Sequence, residues 1–244
     1  MNLTDRQLKI LTAIIEEYMK DASEVGSNTL VKEYDMNVSS ATIRSEMAKL
    51  MEKGYLEKSH ISSGRVPTDQ AFRLYISELL SEASKRGLSP EELVKLRQNI
   101  FRKRFEPQSL TQAMLKEMSR ISDAASFVLK ESSVQYHGVS RLMNYEELRE
   151  LSVMRRVLDL LEDEGFLSQL LSKYLADDVC LIIGEEAGVD DFENCSVAFS
   201  IMPFWDDEEV YFGIIGSRRL DYSKIFSAMR NVKEIVTESL KGWF

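Results

Sequence analysis

Two cysteines, four prolines, two histidines and eleven glycines are spread through 244 residues, and each shortage closes off a class of protein. Cys180 and Cys195 each sit in an apolar, strand-like stretch, which reads as free intracellular thiols packed as small hydrophobes, not as a disulfide framework. His60 and His137 lie far apart with no Cys/His cluster at metal-ligand spacing, so no metal is expected. No apolar run approaches the ~20 residues of a membrane span. MNLTDRQ lacks the basic and apolar regions of a secretory leader, so the expectation is a cytoplasmic chain with no membrane partner. GIIGS is followed by no Lys-Ser or Lys-Thr pair, and so is a strand ending and not a phosphate loop. The acidic clusters at 159–164 and in WDDEE (205–209) have nothing to orient them, and read as solvated surface. No cofactor and no enzymatic activity are expected.

What is present is unevenly charged. The net −9 belongs to the last third: residues 151–244 carry 9 Lys and Arg against 18 Asp and Glu. Residues 1–80 carry 10 against 12, and within 41–65 the balance turns to 5 basic against 3 acidic. Net charge alone would argue against nucleic acid, and the local excess removes that argument.

Periodicity and caps give the order of elements. Thr4 and Gln7 form a capping box ahead of Leu8, Leu11, Ile14, Ile15 and Tyr18, predicting a helix over about 5–20. Ser27 is expected to cap a short second helix, residues 35–38 to turn, and Ser39 or Ser40 to cap a third helix ending at Gly54. Two short strands at 55–58 and 65–66 flank HISSG, Pro67 stops the second, and Thr68 caps a fourth helix. Helix, helix, turn, helix, hairpin is the order of a winged helix-turn-helix. Beyond it, Ser89-Pro-Glu-Glu92 starts a helix at about 90–104, and a second is expected at 109–131. SSVQYHGVSRLMN (132–144) breaks the helical pattern and another helical region covers 145–175. Three strand-like runs at 179–184, 195–204 and 209–216 precede an amphipathic helix at about 222–240. The fold class is therefore α+β with an antiparallel sheet.

In the third helix, Ile43, Met47, Leu50 and Met51 fall on one arc facing the first two helices. Ala41, Thr42, Ser45, Ala48 and Lys49 face away, with Arg44 at the border. A face of small side chains, hydroxyls and a few cations suits the ~12 Å major groove, where bulk would clash. Free N–H groups at the helix start, near Ser39 and Ser40, favour phosphate. Lys58, His60, Ser63, Gly64 and Arg65 of the hairpin are candidate contacts to backbone or minor groove, with Gly64 expected to allow the tight turn. Ser27, at the start of the second helix, completes the candidate DNA-binding set.

LTDRQLKIL, VGSNTL, SSATIRSEMAKLMEKGYLEKSHISSGRVPT and FRLYI resemble the N-terminal domain of the HrcA family, the heat-inducible transcription repressors of bacteria. VSRLMNYEELRELSVMRRVLDLLED, VCLIIGEE, CSVAF and GIIGSRRLDYSKI resemble, in order, that family's C-terminal half. The resemblance implies a repressor that binds an inverted-repeat operator upstream of chaperone operons as a homodimer. It also implies a winged helix joined to a GAF-like domain, and activity that depends on the folding chaperonin. The expected division is 1–80 as DNA-binding domain, 81–131 as helical linker and dimerisation region, and 132–244 as a reduced GAF-like regulatory domain. Two residues depart from the family pattern: Ser45 stands where asparagine is usual, and Ser217 where proline is common. The family's dimerising insert is missing as well. Leu93, Leu96, Ile100, Met114, Leu115, Met118 and Ile121 are therefore expected to make the dimer contact. With only three strand runs, the C-terminal module is expected to be marginal. A GAF-like sheet also raises an alternative, a regulator controlled by a small molecule cupped by 195–204 and 209–216.

Overall fold

A computed structural model describes residues 3–34, 36, 38–58, 64–82, 87–131, 133–174, 178–205 and 208–241. The chain divides into two compact units, Met1–Ser81 and Glu82–Phe244.

In the first unit, α1 (Asp5–Asp21) starts at the expected capping box, with Thr4 accepting from the Gln7 backbone N–H. Helix α2 (Ser27–Glu33) follows, then α3 (Ser40–Glu52), β1 (Leu56–Lys58), β2 (Arg65–Pro67) and α4 (Asp69–Glu82). Ser39, not Ser40, caps α3, its hydroxyl accepting from Thr42 N–H at 3.2 Å. Ser27 is not a cap. Gly26 takes that position with extended backbone and no side-chain bond, leaving Ser27 as the first helical residue. Ile10, Leu11, Ile14 and Ile15 of α1, Leu30 of α2, Ile43, Met47 and Leu50 of α3 and Phe72 of α4 are buried. Each such side chain contributes roughly 1.5–3 kcal/mol by leaving water. Tyr18 meets Phe72 edge-on, with ring centroids 6.0 Å apart.

In the second unit, α5 (Pro90–Phe101) and α6 (Pro107–Ser122) lead into a five-stranded antiparallel sheet. Its strands are β3 (Ala125–Lys130), β4 (Ser133–His137), β5 (Cys180–Ile183), β6 (Cys195–Pro203) and β7 (Glu209–Ser217), in the order β4-β3-β7-β6-β5. Helices α7 (Leu151–Glu162) and α8 (Glu164–Leu171) and the final α9 (Tyr222–Lys241) complete it. One sheet face, with Phe127, Leu129, Ile182, Val197, Phe199 and Ile215, packs on Val157, Leu160, Leu161, Leu167 and Leu170 of α7 and α8. Helices α6 and α9 lie against the other strand faces, and α5 packs on α9.

Four expectations are corrected here. The helix through 131 ends at Ser122, because Asp123 turns into the left-handed region (φ 49°) and the chain re-enters as β3. The sheet has five strands, so β6 and β7 are interior and the three-strand argument for a marginal module falls. Leu96, Ile100, Met114, Leu115 and Met118 are buried within the chain, so they are internal core and not a dimer surface. Likewise the apolar runs expected to cup a ligand bury Val197, Phe199 and Ile215 in the cluster with α7 and α8.

Candidate nucleic-acid interface

The position of α3 is fixed from beneath. Ile43 and Leu50 are fully buried, and Glu46 on the same face is buried too. Its carboxylate accepts from Gln7 Nε2 at 3.0 Å and Lys49 Nζ at 2.8 Å, while Lys53 Nζ donates to Gln7 Oε1 at 2.9 Å. This network ties α3 to α1. The Lys49 hydrogen bond, helped by Gln7, holds the Glu46 carboxyl below the usual carboxylate range. Sequence reasoning passed over Glu46, although the spacing Ile43, Met47, Leu50 puts position 46 on the inward face.

The outward face is as small as expected: Ala41, Arg44, Ser45, Ala48 and Lys49 are exposed, and Thr42 and Ser40 are half-buried. At the helix start the Ser39 and Thr42 hydroxyls lie 3.0 Å apart, so one donates to the other. Arg44 Nη2 reaches back to the Ser27 hydroxyl at 3.5 Å. Lys49 is ion-paired with Glu46, whereas among the described residues Arg44 and Lys58 have no ion-pair partner.

The hairpin is anchored beside α2. Val25 and Arg65 exchange backbone hydrogen bonds at 3.0 and 3.1 Å, adding a bridge to the register Leu56↔Pro67, Glu57↔Val66, Lys58↔Arg65. A Cβ at Gly64 would stand 2.5 Å from Glu24 Cβ, so the close approach of Glu24 requires glycine there; the tight turn expected of it lies outside the described residues. Arg65 donates from Nη1 to the Gly64 carbonyl at 2.8 Å and lays Nε on Met51 Sδ. His60 and Ser63 lie outside the described residues.

Ser27, Arg44, Lys58 and Arg65 thus line one recess of about 410 Å³ with Gly26, Asn28 and Met47. Residues from α2, α3, β1 and β2 meet there, presenting three cations, a hydroxyl and an amide. Such a recess can hold an anion by charge and by hydrogen bonds. Ser39, Ser40, Thr42, Ser45 and Lys49 do not line it; they lie along α3. Gly26 and Asn28 went unnoticed in the sequence, since only the Val25–Arg65 bridge brings them to the hairpin.

The HrcA protein C-terminal domain matches residues 50–226. The chain belongs to the HrcA family. Its relatives include a heat-inducible transcription repressor HrcA of Clostridium perfringens (strain 13 / Type A), 27% identical over 340 aligned positions covering 98% of this chain and 99% of the relative. That of Bacillus pumilus (strain SAFR-032) is 44% identical over 127 residues, 52% of this chain and 36% of its own. A crystal structure of a hypothetical protein at 2.2 Å resolution has the same fold, with a TM-score of 0.80, 18% identity and cover of 98% of this chain and all of that one. HrcA membership makes this chain a heat-inducible transcription repressor and not an enzyme. Among the described residues, no helix is long and apolar enough to cross a membrane.

Proposed function

We propose that this repressor acts in the cytoplasm on an inverted-repeat operator upstream of chaperone genes, as a homodimer, with residues 1–80 as a winged helix. In this reading α3 enters the major groove and the hairpin β1–β2 lies along the adjacent backbone as the wing. The observation that carries it is the gathering of Arg44, Lys58 and Arg65, from three elements, around a recess beside the small-residue face of α3. A solvated face would show more charge and more bulk. In this reading Arg44, Thr42 and Ser45 read bases, while Ser27, Ser39, Ser40, Lys49, Lys58, His60, Ser63, Gly64 and Arg65 serve backbone contacts and the shape of the surface.

One such unit reaches a single half-site, so a two-fold operator calls for two chains. Residues 132–244 would form a reduced GAF-like regulatory domain with the chaperonin as partner, and 81–131 would take part in self-association. Because Leu96, Ile100, Met114, Leu115 and Met118 are spent inside the chain, the contact would use exposed side chains such as Val94, Met143 or Leu151.

The test is binding to labelled inverted-repeat duplex against a scrambled duplex at two salt concentrations. Arg44→Ala is expected to cost about 1–3 kcal/mol and to relax specificity, while Lys58→Ala weakens all sequences and lowers the salt slope by about one. Unchanged operator affinity in Arg44→Ala would remove α3 from the groove.

A further inference from the structure

The second unit is acidic as a whole, with 21 Lys and Arg against 28 Asp and Glu over residues 82–244. Yet the turn between α5 and α6 reads FRKRFEPQSL, and from 102 to 116 four basic residues face a single acid, Glu106. The fold gathers that charge. Arg102, Lys103 and Lys116 ring a recess of about 360 Å³ that Asn99, Ser109 and Gln112 furnish with amide and hydroxyl groups. Arg102, Lys103 and Lys116 are exposed, and among the described residues none of them has an ion-pair partner.

The acids nearby are already engaged. Glu117 is buried, accepting from Asn99 Nδ2 at 2.8 Å and from Arg120 at 3.0 and 2.7 Å. Glu106 accepts from the Ser109 hydroxyl at 2.6 Å and leaves the start of α6 without a side-chain cap. Arg104 lies over the rings of Phe101 and Phe105, 3.6 and 3.9 Å from their centroids, which stiffens the turn.

We propose that this basic turn is a second contact to DNA, binding the phosphate backbone flanking the operator without reading its bases. The inference rests on the DNA-binding function proposed above. Unpaired cations on one turn and the helix that follows it, interspersed with uncharged donors, match the chemistry of a phosphate backbone. They do so on a unit whose remaining charge would repel one. A family of transcription repressors makes DNA the polyanion this surface would meet.

An inverted-repeat duplex selected by the full chain from a random pool is prepared bare and with 15 base pairs added on each side. Wild type is compared with the triple variant Arg102→Gln, Lys103→Gln, Lys116→Gln, and with an equal charge loss at Arg149, Arg155 and Lys173. Melting curves verify that all three fold. The added flanks are expected to strengthen binding by wild type and by the charge control, and not by the triple variant. Three lost phosphate contacts lower the salt slope by about 2.7, so from 50 to 200 mM salt wild type loses about 40-fold more affinity on the long duplex than the variant does. A flank advantage that survives in the triple variant, or is lost equally in the control, overturns the proposal. So does patch-dependent binding of polyglutamate with no effect of the flanks. If bare-operator binding depends on Arg44 but ignores the flanks, this inference alone falls. If Arg44→Ala changes nothing on the bare duplex, the DNA-binding reading falls first.

Discussion

Gly64 lies so close to the Glu24 side chain and backbone that one added methyl has nowhere to go, whereas Gly26, two residues further on from Glu24, has only Thr29 Oγ1 at 3.8 Å. Gly64→Ala is expected to destabilise the first unit by about 1–3 kcal/mol and Gly26→Ala to be near neutral, as read by thermal melts. A second residue-scale feature gives Ser217 a role. Its hydroxyl donates to Glu147 Oε1 at 2.5 Å and accepts from the Arg219 N–H at 3.0 Å, while Arg219 grips the same carboxylate from Nε and Nη2 at 2.7 and 2.9 Å. A proline at 217, common in the family, could not supply that hydroxyl. Both charged side chains are largely shielded, at 7% and 10% exposure, so Arg219→Met, which leaves the carboxylate with the Ser217 hydroxyl but no counter-charge, is expected to cost about 2–3 kcal/mol. Burial pushes the Glu147 pKa up, but the hydrogen bonds from Arg219 and Ser217 outweigh it and leave the carboxyl below its ordinary range. A depressed folded-state pKa stabilises above the unfolded value of about 4.3 and stops doing so as pH falls through the folded one. The stability gap between wild type and Glu147→Gln should therefore be widest at neutral pH and close as pH drops below about 4, a trend that melts across pH 7 to 3 would check.

Helix α5 illustrates why elements, and not isolated residues, decide what is available at the surface. Arg97 pairs with Glu234 at 3.1 Å and Glu92 with Lys224 at 3.5 Å, so α5 lies along α9 with Leu96 and Ile100 fully buried. Leu96→Ala is expected to cost about 2–5 kcal/mol in a thermal melt without changing the mass seen by light scattering. A halved mass instead would return Leu96 to the dimer contact. How legible each element was follows from its local signals. Helices α1 and α3 could be read because Thr4, Gln7 and Ser39 mark their starts and their apolar faces run unbroken. Strand β3 could not. Met118, Ile121, Ala125 and Val128 continue a helical spacing across the break, and only the backbone turn at Asp123 ends it. Strand β4 lacks an apolar signature because most of it is exposed. In the interface, the cations themselves were visible in the sequence. Their meeting around Gly26 to Asn28 was not, since it depends on a long-range bridge that no local propensity encodes.

At the scale of the whole chain, light scattering should give about twice the 28.0 kDa mass if two chains share an inverted repeat. The corrected sheet also revises how heat should act. The first unit has about half the residues of the second, and a smaller unit is expected to bury a smaller share of its surface and so to be the more marginal of the two. Trp205 is half-buried in the second unit and residues 1–81 contain no tryptophan, so Trp205 fluorescence reports unfolding of the second unit in the intact protein. Operator binding is expected to fade at a lower temperature than the tryptophan transition, and added chaperonin with nucleotide to restore it after mild heating. Binding that persists until the tryptophan signal changes would put the weak point in the second unit. The strand order carries one more consequence, for synthesis. Strand β3 sits between β4 and β7, and Ala125 pairs with Ile215. At ~5–20 residues per second, a ribosome delivers that partner about 5–18 s after β3 has been made. For those seconds each newborn repressor exposes an apolar, half-paired strand, and so it competes for the same shielding as every other unfinished chain in the cell.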